Sequence, residues 1–186
     1  MRKHSPNVVL QVQATATLAS LGRAVEECVW GLCAATQPAS MTVEVSLALS
    51  SFAVFVHGQG WTEQEMVALY ECARQRDSDA VSSFLVRGVG GAARQVVVTS
   101  RHAGEASTRC VRFGVGQGGS PWIGHDAPRA PGITVRVSDL FCNVPVRKAA
   151  AKARPSVEWE RIRTVVCQFA LAFPQGGNTT ETCTID

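Results

Sequence analysis

The stretch Gly132–Lys148 reads GITVRVSDLFCNVPVRK, and the rest of the chain is oriented from it. Ile133, Val135 and Val137 alternate with Thr134, Arg136 and Ser138, the period of a strand with one buried face. Asp139, Leu140 and Phe141 lead into Asn143-Val-Pro. Pro145 fixes its own φ and restricts Val144, so the strand must end there at a rigid corner. Arg147 and Lys148 then open an alanine-rich run, a basic helix start.

Working back toward the N-terminus, Gly116–Pro131 is rich in Gly and Pro and reads as an exposed connection. Thr108–Val115 and Gln95–Ser100 read as strands joined by a turn at His102–Glu105. Arg87–Gly91 (RGVGG) and His57–Gly60 (HGQG) are two glycine loops. The second runs straight from an apolar strand, Phe52–Val56, into a helix over Glu63–Arg74. Thr62 and Glu65 have capping-box spacing at that helix start. Thr42–Leu49 alternates and pairs with Phe52–Val56 as a hairpin. Ala14–Ala34 is helical, with Leu18, Leu21, Val25, Cys28, Val29 and Leu32 as one buried stripe and Glu26 and Glu27 beside it. Asn7–Gln13 reads as a short strand. On the far side of the opening stretch, Pro155–Phe173 is a helix whose buried side is Trp159, Ile162, Val166, Phe169 and Ala170.

Strands in adjacent runs with helices between them predict a two-layer α/β sandwich. Its sheet is mixed and mostly antiparallel, with helices on one face, and it is not a doubly wound sheet. A chain of 186 residues, 46% hydrophobic, is one domain with a proper core. A net charge of +3 permits contact with a phosphate backbone without demanding it. The 7 cysteines are widely spaced, with no CxxC and no zinc spacing, and sit mostly in apolar runs. That usage predicts an intracellular, reducing compartment. The sequence shows no signal peptide and no apolar run of membrane-spanning length, so no membrane contact is expected.

Three groups of residues carry possible chemistry. The glycine loops can bring backbone N–H groups close to a phosphate, and a helix start such as that after Gly60 can hold an anion; both are also what ordinary turns look like. Glu27, on the polar edge of a half-buried helix, has the chemistry of a general base toward water, although glutamate there is by default a solvated residue. Arg147, Lys148 and Lys152 form a basic group that suits either DNA phosphate or plain solvent.

With these residues placed, Gly132–Lys148 resembles the MutL-family signature GTTVxVxDLFxNxPxRxK. MutL proteins are DNA mismatch-repair factors whose N-terminal region is a GHKL-class ATPase, the class shared with gyrase and histidine kinases. Ser20–Ala34 is similar to the first GHKL helix, of the form VKELVENSLDA. Val56–Gly60 falls where the family has DNGxG, and Gly88–Ala93 where it has GFRGEA. The order and spacing agree from about Val8 to Pro174. The Ser-Leu-Gly approach to the first helix is similar to the third eukaryotic MutL homologue, the subunit associated with meiotic crossing-over.

The resemblance implies a GHKL fold, ATP and Mg²⁺ as cofactors, DNA and another MutL subunit as partners in a heterodimer, and, in a eukaryote, a nuclear location. It implies Glu27 as general base. It places Gly58, Gly60, Gly88, Gly91, Gly132 and Thr134 around the nucleotide, and makes Arg147 the signature arginine. It also implies that the chain is the N-terminal fragment of a longer protein, because MutL proteins continue into a second domain and a dimerisation region. Several polar contacts are replaced. The metal-holding Asn is Gly31, the adenine-accepting Asp is Val56, the Asn beside it is His57, and the lid's Arg and Glu are Gly90 and Ala92. No side chain of this chain is assigned to a metal. Weak or absent ATPase activity is therefore expected, with a non-catalytic interaction module as the alternative.

Overall fold

The computed structural model describes residues 18–36, 38, 40–75, 84–117, 120–172 and 180–183. The strand expected at Asn7–Gln13 and the start of the first helix, Ala14–Thr17, lie outside the described residues. Helix α1 spans Leu21–Thr36, β1 Ser40–Ser46, β2 Ser51–His57 and α2 Glu63–Gln75. A π-helical turn, Phe84–Val89, closes through Gly90–Ala92 into β3, Ala93–Arg101. Then come β4, Thr108–Phe113, β5, Trp122–Asp126, and β6, Gly132–Leu140. Helices α3, Pro145–Ala153, and α4, Pro155–Ala172, precede a short β7, Thr180–Cys183.

The strands form one 7-stranded sheet in the order β5-β4-β3-β6-β2-β1-β7. Every neighbouring pair is antiparallel except β1 with β7, which run parallel. The stretch that oriented the sequence is thus the central strand, flanked by β3 and β2. Val54, Val135, Val98 and Val111 sit side by side across four strands and are wholly buried. They pack against Val25, Cys28, Val29 and Leu32 of α1 in a single core that also takes in α2 and α4. This is the two-layer α/β sandwich that the alternation predicts.

The corner at the end of β6 is more elaborate than a proline turn. Asp139 and Phe141 both adopt positive φ, 52° and 61°, costly for a bulky side chain. Leu140 N–H donates to Ser50 O and Phe141 N–H to Ala92 O, each at 2.8 Å, and both side chains are buried. The Asp139 carboxylate accepts from Arg94 Nε at 2.8 Å and from Lys148 Nζ. These two cations hold the Asp139 carboxyl below its ordinary range, the Lys148 bond contributing most. A carboxylate with a lowered folded pKa contributes stability above its unfolded pKa and loses it as pH falls through the folded one. Asp139→Asn keeps a residue that tolerates positive φ and removes the charge. It is expected to cost about 1–2 kcal/mol at pH 7. The difference from wild type should be flat above about pH 5 and shrink below about pH 4, read by urea unfolding at each pH.

Three local expectations are corrected. Gly116–Pro131 is not all connection, since β5 lies within it. Arg87–Gly91 is not a loop; it belongs to the π-helical turn and its helical continuation. On α4, Ala170 is exposed and Trp159 only partly buried, while Glu158 is buried.

Candidate functional site

The candidate residues fall at three places. Gly60 and Gly132 meet at one corner of the sheet. There the ends of β2 and β3 flank the start of β6, with Gly132 opposite both His57 and Arg101. The His57–Gly60 loop is pinned to that corner by protein bonds. Trp61 N–H donates to Ser100 Oγ at 2.7 Å, Ser100 Oγ donates to Trp61 O at 3.1 Å, and Ala103 N–H donates to Gln59 O at 2.8 Å. Gly60 has φ of 74°, and a Cβ there would overlap the Arg101 carbonyl oxygen. Backbone packing alone therefore demands glycine at that position. Gly58 precedes it in the same loop, half-exposed.

At the helix start beyond Gly60, side chains already take most of the N–H groups that an anion would use. Thr62 N–H donates to Glu65 Oε2 at 2.7 Å, and Glu65 N–H returns to Thr62 Oγ1 at 3.3 Å, completing the predicted capping box. Glu63 N–H donates to Glu105 Oε1 at 3.2 Å. Two carboxylates already serve the positive end of α2, and a phosphate would have to displace them against their charge.

The second place is α1 with the π-helical turn. Ser20 caps α1 by accepting from Arg23 N–H at 3.1 Å. Glu27 lies away from the buried stripe and pairs with Arg23 at 2.5 Å, while Glu26 pairs with the same arginine at 2.9 Å. The general-base candidate thus shares a guanidinium on its own helix. One turn on, at Gly31, a Cβ would lie 2.5 Å from the Phe84 ring. The π-helical turn carrying Gly88 packs on α1 through that ring, with Gly91 buried. A Cβ on Gly88 would meet nothing within 4 Å.

Mg²⁺-ATP does not fit the residues present. The position that the resemblance gives to a metal-holding side chain has none, and an aromatic ring fills its space. The adenine-acceptor position, Val56, is an apolar side chain turned into the core beside Ile133. Thr134 lies on the other face of the sheet, buried under Arg129, whose Nη1 donates to Thr134 Oγ1 at 2.7 Å. The inward residue at the start of β6 is Ile133. Thr134 is thus not brought together with Glu27 or with the π-helical turn.

The third place is the foot of β6. Arg147 Nη1 donates to Leu18 O, and its guanidinium lies 5.9 Å from the centre of the Phe141 ring. Lys148 is bound to Asp139. Both are turned to intramolecular partners, and Lys152 is exposed on α3. The residue that sequence reasoning missed is Glu158. It is buried on α4, yet its Oε2 accepts from Gly22 N–H at 2.8 Å. That carboxylate ties the start of α1 to α4 and so positions Glu27 and Gly31. A glutamate in an amphipathic helix with tryptophan beside it gives no sequence signal of burial.

No protein-family model matches the sequence, and no curated protein matches it. Solved structures do. The N-terminal domain of a DNA repair protein superposes with a TM-score of 0.78 at 17% identity, over 95% of this chain and 52% of that one. The MutL ATPase domain of Aquifex aeolicus carrying a K252N mutation gives 0.65 at 17%, over 90% and 57%. The same organism's MutL ATPase domain complexed with ADP gives 0.58 at 15%, over 99% and 61%. The chain therefore has the fold of MutL N-terminal ATPase domains, and it spans 52% to 61% of the length of these solved chains.

Proposed function

We propose that this chain is the N-terminal GHKL-fold part of a MutL-type DNA repair protein that keeps the fold as an interaction module, with ATP binding and hydrolysis weak or absent. The observation that carries the reading is the Phe84 ring over Gly31, where a metal-holding side chain would otherwise stand. Neutralising phosphate charge is a large part of phosphoryl transfer, and nothing at Gly31 offers a ligand for a metal that would do it. The Glu65 and Glu105 carboxylates at the start of α2 oppose phosphate binding further.

The partners of this reading are another MutL-type subunit, in a heterodimer, and DNA. Its setting is the nucleus of a eukaryote and its process mismatch repair or meiotic recombination. Within that family the reading is the third eukaryotic MutL homologue, and it rests on the Ser20-Leu-Gly approach to α1. A second reading, residual ATPase activity, rests on the presence of Glu27. Steady-state ATP hydrolysis separates the two. Wild type and Glu27→Ala are expected to release phosphate at the same background rate. A wild-type rate well above that of Glu27→Ala would sink the non-catalytic reading.

A further inference from the structure

Among the described residues, no helix packs on the sheet face opposite the core, and the side chains there are unusual for a bare face. Strand register sets Trp122, Arg112, Val97 and Arg136 side by side across β5, β4, β3 and β6. At the usual strand spacing that row is about 14 Å long. The Arg112 guanidinium lies 4.8 Å from the centre of the Trp122 ring, and that of Arg136 lies 5.5 Å from the centre of the Phe55 ring on β2. The Trp122 ring lies back along its strand over Gly124, in space that a Cβ there would fill. It is therefore flat on the sheet and not standing in solvent.

Arg112 and Arg136 are both exposed, and neither pairs with a carboxylate among the described residues. Two shallow depressions flank the Arg136–Phe55 pair on this face. One, of about 390 Å³, includes Arg136, Ala53 and Glu44 in its lining; the other, of about 230 Å³, includes Phe55, His57 and Arg129.

We infer that this face binds single-stranded polynucleotide. A strand of unpaired bases offers what these groups take. Its base planes stack on indole, phenyl or guanidinium planes, and its phosphates meet the unpaired arginines. A duplex hides its base faces and can use only the charge. Binding here needs no nucleotide in the GHKL site; the inference rests on the DNA contact of the proposed function only in its class of partner, and gives that contact a surface and a strandedness.

The test is fluorescence anisotropy of a labelled 12-mer of thymidylate, titrated with the full chain in the absence of ATP. A uridylate 12-mer and a 12-base-pair duplex are run as further arms, and tryptophan fluorescence is followed alongside. Single strands are expected to bind at least about tenfold more tightly than the duplex, with quenching of tryptophan emission. Trp122→Ala should lower affinity roughly tenfold. Arg112→Gln with Arg136→Gln should lower the salt slope by about two phosphate contacts. A preference for the thymidylate or the uridylate strand, or none, supports the inference equally and says whether the sugar is read. These substitutions remove exposed side chains, and unchanged melting temperatures show that the fold is intact. Equal affinity for strand and duplex, no binding at 50 mM salt, or indifference to Trp122→Ala overturns the inference. So does a Trp122→Ala change in sedimentation from dimer to monomer with oligonucleotide affinity unaltered, which assigns the face to a second copy of the chain.

Discussion

Gly60→Ala is expected to cost roughly 3–5 kcal/mol, enough to unfold much of the protein at room temperature. Gly60 holds φ at 74°, and the added methyl would run into the Arg101 carbonyl, which is held in the sheet between neighbouring strands. Neither backbone can give way without breaking the pinning of the loop through Ser100. Gly88→Ala is the matched contrast. Its Cβ would stand in open space, so its stability should stay within about 0.5 kcal/mol of wild type. Both glycines are placed beside the nucleotide by the family resemblance. If a bound phosphate were what required them, both substitutions would be mild in the free protein. Urea unfolding of the two variants decides it, and a Gly60→Ala protein as stable as wild type would contradict the backbone argument.

Glu158→Ala is expected to cost about 2–3 kcal/mol. The buried carboxylate serves the start of α1, where Gly22 N–H would otherwise be an unpaired donor near the positive end of the helix. Arg161, 3.6 Å from Glu158, supplies a partner for its second oxygen. Glu158→Gln keeps an acceptor for Gly22 and gives up the charge, so it should cost about half as much. Thermal unfolding of the two variants separates the hydrogen bond from the charge. Equal losses would assign the whole effect to charge, and no loss in either would mean that α4 does not hold α1.

The sandwich was legible because its central strands alternate cleanly. Ile133, Val135 and Val137, Val43 and Val45, and Phe52 and Val54 all face the core. The capped start of α2 and the buried stripe of α1 follow from equally local signals, as does the β1–β2 hairpin, although its first strand stops at Ser46 and Leu47–Leu49, read as strand, belong to the turn. What was not legible lacks a local cause. Strand β5 is a short segment between Gly-Ser-Pro and Pro-Arg-Ala-Pro, and it forms by pairing with β4. β7 has no apolar alternation and is made by parallel pairing with β1. The π-helical turn replaces a glycine loop because Gly31 lets Phe84 lie on α1, a contact between residues 53 positions apart. The internal engagement of Arg147 and Lys148 depends on where Leu18 and Asp139 end up, which no run of basic residues reveals.

The same division explains why the signature and the site tell different stories. Leu140, Phe141 and the Asp139–Lys148 pair build the corner that ends β6, so folding alone gives Gly132–Lys148 a use. Gly31, Val56 and Ala92 stand where the resemblance implies polar groups, and the core absorbs Val56 and Ala92.

Isothermal titration of the full chain with ATP, with and without Mg²⁺, measures whether a nucleotide site is present. No saturable heat is expected at millimolar nucleotide, and no effect of the metal. Nor should the melting temperature rise under the same conditions, whereas a ligand at about 100 times its Kd would add roughly 2.7 kcal/mol of stability. Saturable, Mg²⁺-dependent binding of ATP would overturn the reading of Gly31 and Val56 as lost contacts.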